Sequence, residues 1–210
     1  VGLENRVTLH DDIKVLVYRQ DRIAVAKCFC RTHTKILGEG CDKPIETCLM
    51  FDFYADYYVE NGWARWLSHE EALQLLDQCR DAGLVCQSIN SKSPGAICNC
   101  CPDCCFPFQA LKKFPKPAEV VTSNYNAHVD PELCTACETC FDRCPIEAIS
   151  LNPEDVAEVN RDRCIGCGLC TVVCPVEALN MISRPEKEIQ EPPEENPFMK
   201  APHLFEEEMN

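Results

Sequence analysis

Two runs of cysteine stand in the last third of this 210-residue chain. The first is Cys134-x-x-Cys137-x-x-Cys140-x-x-x-Cys144-Pro145. The second is Cys164-x-x-Cys167-x-x-Cys170-x-x-x-Cys174-Pro175. Matching text follows each, "IEAISL" and "VEALNM", so the two stretches are an internal duplication. The chemistry that suits this spacing is ligation of a cubane of iron and sulfide. A short loop delivers three thiolates to three iron corners of one cubane, and the fourth cysteine, on a helical turn, points towards the other. Proline after it ends local backbone pairing and turns the chain. This assigns Cys134, Cys137, Cys140 and Cys174 to one [4Fe–4S] cluster. Cys164, Cys167, Cys170 and Cys144 go to a second. Zinc sites usually pair two Cys-x-x-Cys knuckles, which these runs do not resemble.

Eight of the 19 cysteines lie in these runs, leaving eleven. An early block holds Cys28, Cys30, Cys41 and Cys48. A second block, "CNCCPDCC", holds Cys98, Cys100, Cys101, Cys104 and Cys105. A buried thiol behaves as a small hydrophobe, but five in eight residues is denser than a core needs. The leading expectation is iron through these cysteines as two further [4Fe–4S] clusters. One would use the early block and the other four of the five later cysteines, or the blocks would exchange ligands. One larger or unusual cluster sharing both blocks, zinc, or unmetallated or redox-active thiols are the alternatives. Lys27 and Arg31 flank Cys28 and Cys30; positive charge there would favour a reduced cluster, and a solvated pair at a strand end is the plainer reading. Cys79 and Cys86 read as core residues. His33, three residues after Cys30, reads as a surface or hydrogen-bonding side chain rather than a ligand.

The odd cysteine count rules out complete disulfide pairing, and the close spacings suit a metal better than distant staples. A reducing, cytoplasmic setting follows. The formal charge of −14 makes nucleic acid an improbable partner. Redox proteins with basic docking patches are expected instead. No stretch approaches the ~20 apolar residues of a membrane-spanning helix. There is no Gly-x-Gly-x-x-Gly, no phosphate-binding loop and no visible catalytic base.

Among the elements that must position these residues, the clearest is a helix from 69 to 82. Ser68 and Glu71 form a capping box, Ala72, Leu73, Leu76 and Cys79 make its apolar stripe, and Gly83 stops it. "IKVLVY" (13–18) and "DRIAVA" (21–26) read as strands, as does "LVCQSIN" (84–90). Residues 45–66 read as a helix closed by a turn at Asn61-Gly62, with Tyr54, Tyr57, Tyr58, Trp63 and Trp66 as core. A hairpin turning at Asn152-Pro153 joins the two cysteine runs.

Residues 125–182 closely resemble bacterial-type ferredoxins with two [4Fe–4S] clusters. The resemblance includes every ligand. Gly166 and Gly168 of "CIGCGLC" fit the family pattern, whereas "CTACETC" has Ala136 and Glu138 there. More loosely, "CFCR" and "CNCC" ahead of such a module resemble iron–sulfur proteins of anaerobic bacteria and archaea. The resemblance implies an α+β fold: a ferredoxin-like pseudo-symmetric ββα/ββα dicluster module after a small Cys-rich α+β domain. The expected domains are 1–111 (Cys-rich), 112–124 (linker), 125–183 (ferredoxin) and 184–210, an acidic Pro/Glu-rich tail. That tail is expected to be extended, with Pro197–Met199 and Leu204–Phe205 as a docking anchor. The function implied is single-electron transfer, as a carrier or as a subunit of a larger oxidoreductase complex. An enzyme with an open-site cluster in residues 28–105, or a redox sensor or scaffold, is the alternative.

Overall fold

The computed structural model describes residues 5–194. The first part of the chain runs β1 (Asn5–Val7), α1 (His10–Tyr18), β2 (Ile23–Lys27), α2 (Phe29–Ile36), β3 (Glu46–Phe51) and α3 (Asp52–Glu60). It continues β4 (Ala64–Leu67), α4 (His69–Asp81), β5 (Val85–Ile89), β6 (Ala96–Cys100), α5 (Phe106–Lys112) and β7 (Val121–Thr122). The strands form one sheet in the order β4-β2-β3-β6-β5-β1-β7, antiparallel except for the β1–β7 pair.

Both faces of the sheet are covered, so β2 and β3 read as nearly unbroken apolar runs. The two-residue alternation sorts them. Ile23, Val25, Leu49, Phe51 and Ile97 face α1 and α4, meeting Ile13, Val17, Ala72 and Leu76. Ala24, Ala26, Cys48 and Met50 face the other way, towards α3 and Cys28.

"IKVLVY" is helical, not a strand. Ile13 and Val17 lie one helical turn apart and are buried against α4, while Val15 is exposed. Burial at i and i+4, with Asp11 and Asp12 in the first turn, outweighs the β-branched composition. Residues 45–66 hold β3, α3 and β4 rather than a single helix. The aromatic group there is largely at the surface: Trp63, Trp66 and Tyr57 are exposed, and Trp63 stacks edge-on with Tyr57 and Tyr58 beside the edge strand β4. An edge strand has one neighbour to bury against, which leaves those rings uncovered.

Helix α4 begins as the sequence indicates. The Ser68 amide donates to Glu71 Oε2 at 2.7 Å and the Glu71 amide donates to Ser68 Oγ at 3.2 Å; such a cap is worth about 1 kcal/mol. His10, at the start of α1, is buried beside α4 with no hydrogen-bond partner for Nε2. Burial, then the charge of Arg80, hold its pKa down to about 4; Asp11 and Asp77 oppose this, and Lys14 adds to it. The folded state therefore binds this proton less readily than the unfolded chain. Stability is full above about pH 6.5 and falls as the pH drops towards 4. The loss by pH 5 is expected to be about 2 kcal/mol. Thermal melts at pH 7 and 5 should show a smaller decline for His10→Gln than for wild type; parallel declines would refute this role.

Residues 112–124, read above as a linker, carry a 3-10 turn at Pro117–Glu119 and then β7, which joins the large sheet beside β1. The remaining elements are β8 (Tyr125–Val129), α6 (Thr139–Arg143), β9 (Ile149–Leu151), β10 (Ala157–Val159), α7 (Leu169–Val172) and β11 (Leu179–Ser183). β8 pairs with β11, and β9 with β10, both antiparallel. The β9–β10 turn is held by Asn152 Oδ1, which accepts from the amides of Glu154 and Val156.

One buried core runs from the sheet into this second part. Val7, Val85, Phe108, Leu111 and Val121 pack in it with Ala127, Ile146, Ile165 and Leu169. Arg143 adds a polar clamp, donating to the carbonyls of Asp81 (3.1 Å) and Arg80 at the C-terminus of α4, where a cation complements the helix dipole. Beyond β11 the chain folds back: Gln190 accepts from Arg6 (3.1 Å), and Lys92 pairs with Glu194 at 2.6 Å. The apolar segments at 197–199 and 204–205 lie outside the described residues.

Candidate iron–sulfur and thiolate centres

Two cavities lie in the duplicated part. One is lined by Cys134, Cys137, Cys140 and Cys174 amid apolar side chains. The other is lined by Cys144, Cys164, Cys167 and Cys170. Each draws three thiols from one run and one from the other. Four thiols around an apolar cavity are the donor set that holds a [4Fe–4S] cluster.

The surrounding hydrogen bonds repeat. The amides of Ala148 and Ala178 donate to Cys144 Sγ and Cys174 Sγ, each at 3.2 Å. Amide-to-sulfur bonds of this kind set cluster potentials. Glu147 and Glu177 share φ = 54°. In the ligand loops Ala136 (54°) and Glu138 (60°) adopt the left-handed backbone of Gly166 (68°) and Gly168 (76°). The sequence difference thus leaves the loop shape intact.

What differs is the environment. A Cβ on Gly166 would run into Tyr125 O and Ser123 Oγ, and one on Gly168 would come within 2.8 Å of the Leu9 side chain. The second loop is pressed against the rest of the chain, so it requires glycine. The first faces solvent, and Glu138 is exposed. Among the thiols, burial raises Cys140 of the first set to about 11, as it raises three of the second. Burial pushes Cys167 up to about 12 and also raises Cys170 and Cys144. Cys137, exposed and accepting from the Thr139 hydroxyl at 3.5 Å, lies below the usual thiol range. A metal would deprotonate the raised thiols on binding.

Upstream, the structure regroups the nine cysteines of the two blocks. β2 and β3 pair Ala26 with Cys48, and β3 and β6 pair Leu49 with Ile97. Continuing that second register by one residue sets Cys48 beside Cys98. Cys98 and Cys100, two residues apart, share a face of β6. Cys28 sits at the N-cap of α2 and Cys105 at that of α5. In this arrangement Cys28 and Cys48, Cys48 and Cys98, Cys98 and Cys100, and Cys100 and Cys105 are near enough to shift one another's ionisation. Cys30 lies close enough to feel Cys105, Cys28 and Cys98. A hydrogen bond from Cys48 draws Cys28 down to about 6, and Cys48 is raised in return.

Cys41 does not join the early block. Its sulfur lies 3.7 Å from Cys101 Sγ and 3.6 Å from Cys104 Sγ. Cys101 follows Cys100 by one residue, so it leaves the face shared by Cys98 and Cys100. The blocks expected as four plus five thus form groups of six and three, each drawing on both. Strand alternation in "CNCC" was the signal that separates Cys101 from its neighbours.

Arg31 stands between the groups. It is 2 % exposed and donates to Asn99 O at 3.1 Å, Cys101 Sγ at 3.7 Å and Thr47 Oγ1. Burial opposes its charge, but the sulfurs of Cys28, Cys101 and Cys48 more than offset this and raise its pKa. Lys27 is exposed, so the flanking pair splits into one buried and one solvated cation. Cys79 and Cys86 are buried; the Cys86 thiol donates to Asn99 Oδ1 at 3.0 Å. His33 is exposed and stacks on Phe29.

Residues 127–181 match the family model of the 4Fe-4S dicluster domain. The second part of the chain is therefore an iron–sulfur domain. More narrowly, the chain carries a 4Fe-4S ferredoxin-type domain. It is similar to a probable ferredoxin of Methanosarcina thermophila, 50 % identical over 34 residues, which is 16 % of this chain. The match spans 59 % of that relative's own length. No helix among the described residues is long and apolar enough to cross a membrane.

Proposed function

We propose that this chain relays single electrons between an upstream iron–sulfur centre and a pair of [4Fe–4S] clusters, as a carrier or as a subunit of a larger oxidoreductase complex. In this reading residues 125–183 are a pseudo-symmetric ββα/ββα ferredoxin module. Cys134, Cys137, Cys140 and Cys174 hold one cluster, and Cys164, Cys167, Cys170 and Cys144 the other. Residues 1–111 form the upstream domain, 112–124 its connection, and 184–210 an acidic tail. Cys28, Cys30, Cys48, Cys98, Cys100 and Cys105 supply the ligands of one further cluster rather than two.

The observation that carries the reading is the shared core. Cys100 and Cys105 pack in the same buried cluster as Cys140, Cys164 and Cys170, with Phe108 and Leu111 also in it. A bound [4Fe–4S] cluster takes up and gives back one electron; the chain supplies placement, dryness and tuning. Arg31 places positive charge at the upstream thiols. Cys137, exposed, marks the cavity nearest solvent as the port for a partner. The charge of −14 suits a partner with a basic patch, and many free thiols suit a reducing, anaerobic cytoplasm.

Iron and acid-labile sulfide analysis of anaerobically purified protein tests this. Three clusters require about twelve irons per chain, and the ferredoxin module alone about eight. A count near twelve, with electron transfer to a basic acceptor that slows as salt rises, is the expected result. A count near eight would refute the upstream half of the reading.

A further inference from the structure

We infer that Cys41, Cys101 and Cys104 bind a single zinc ion rather than an iron–sulfur cluster. The spacing carries this. Two ligands of a tetrahedral ion, each about 2.3 Å from the metal, lie about 3.8 Å apart. The sulfur of Cys41 lies 3.7 and 3.6 Å from the other two. All three fall within 4.8 Å of one another, and no other trio of metal-ligating side chains among the described residues does. Cubane ligands sit on separate irons and stand further apart, and no three of the cysteines lining the two pockets of the duplicated part fall within 4.8 Å of one another. Soft thiolates in a tetrahedral set select zinc among common divalent ions.

Charge and backbone agree with the assignment. Three thiolates on a divalent cation leave one negative charge, and the buried Arg31 guanidinium, 3.7 Å from Cys101 Sγ, balances it. Gly40, at φ = +104°, passes so close that a Cβ there would lie 3.1 Å from Cys104 Sγ and 2.8 Å from Thr34 Oγ1. The chain next to Cys41 is thus drawn down onto the thiols, in a conformation that favours glycine. Cys41 lies in a stretch without helix or strand between α2 and β3, and Cys101 and Cys104 lie in the turn between β6 and α5. The ion ties one to the other. Three protein ligands leave one position of the tetrahedron for a non-protein ligand. Cys79 shares the small core around Cys101 and Cys104 but lies outside the trio.

The test is metal analysis and zinc-edge X-ray absorption on the whole chain, produced with iron and zinc supplied and purified anaerobically. Wild type should hold about one zinc per chain, with three sulfurs at about 2.3 Å and one lighter ligand. Cys41→Ser and Cys104→Ser should each lose that zinc and keep their iron, and Cys79→Ala should keep both metals. Zinc retained in the first two variants, or four sulfurs around it, would overturn the assignment. So would a loss of about four irons in Cys41→Ser, the result an open-site cluster predicts. If the variants do not fold, wild type decides: no zinc, or zinc without sulfur neighbours, overturns it. The assignment is independent of the relay, because zinc and iron are counted separately.

Discussion

Replacing Cys174 by serine is expected to remove the iron held with Cys134, Cys137 and Cys140, and to leave the cluster of the run in which Cys174 itself lies. Cys174 lines the cavity of the first run, and Cys144 that of the second. The loss should be about four irons per chain. Cys144→Ser should do the converse, removing the cluster held with Cys164, Cys167 and Cys170. Low-temperature EPR of the reduced variants, with iron counts, checks both. If Cys174→Ser loses instead the cluster of its own run, the crossed ligand assignment is wrong. The two variants should also differ in stability. Metal-binding free energy is folding free energy, and the second cavity lies against the sheet: its Gly168 meets Leu9, and Arg143, one residue before Cys144, clamps the end of α4. Cys144→Ser should therefore loosen the contact between the two parts of the chain, whereas Cys174→Ser acts on the solvent-facing end. Hydrogen exchange at the last turn of α4 measures the difference.

Arg31→Met is expected to lower the reduction potential of the upstream centre by about 70–120 mV. A unit charge at roughly 6–10 Å in a medium of effective dielectric about 20 is worth about 1.7–2.8 kcal/mol. At about 2.3 kcal/mol per 100 mV, that gives the stated range. The positive charge favours the more negative, reduced state, so its removal makes reduction harder. Arg31 also holds Asn99 and Thr47 in place, and a structural loss needs to be told apart from an electrostatic one. Arg31→Lys keeps the charge without the guanidinium fork and should recover much of the shift. Lys27→Met should move the potential little, because an exposed charge is screened. Redox titration of the three variants decides. Equal shifts for Arg31→Met and Lys27→Met, or no recovery with lysine, would defeat the electrostatic account.

The two cysteine runs, the duplication, the capped helix α4 and the Asn152 turn were all legible in the sequence. Each depends on residues a few positions apart, where backbone geometry alone limits what side chains can reach. Ser68 and Glu71 meet because three residues make most of a helical turn. Asn152 holds Glu154 and Val156 because they are its near neighbours in the chain. Helix α1 was misread for the opposite reason: Val15 and Val17 look alike in the text, and it is packing against α4 that buries the second and leaves the first outside.

The upstream centre shows the same divide. The residue types of "CFCR", Cys41, Cys48 and "CNCCPDCC" by themselves pointed to thiolate chemistry there. Tertiary structure alone decided which sulfurs meet. Cys48 reaches Cys98 through the register of β3 on β6, Cys41 reaches Cys101 and Cys104 through a loop drawn in at Gly40, and Arg31 rather than Lys27 ends between the two groups. Sheet register and side-chain burial are non-local properties, set by cores in which Leu49, Ile97 and Phe51 must face α1 and α4. Only when that face is buried does the alternate face, with its cysteines, take a definite arrangement.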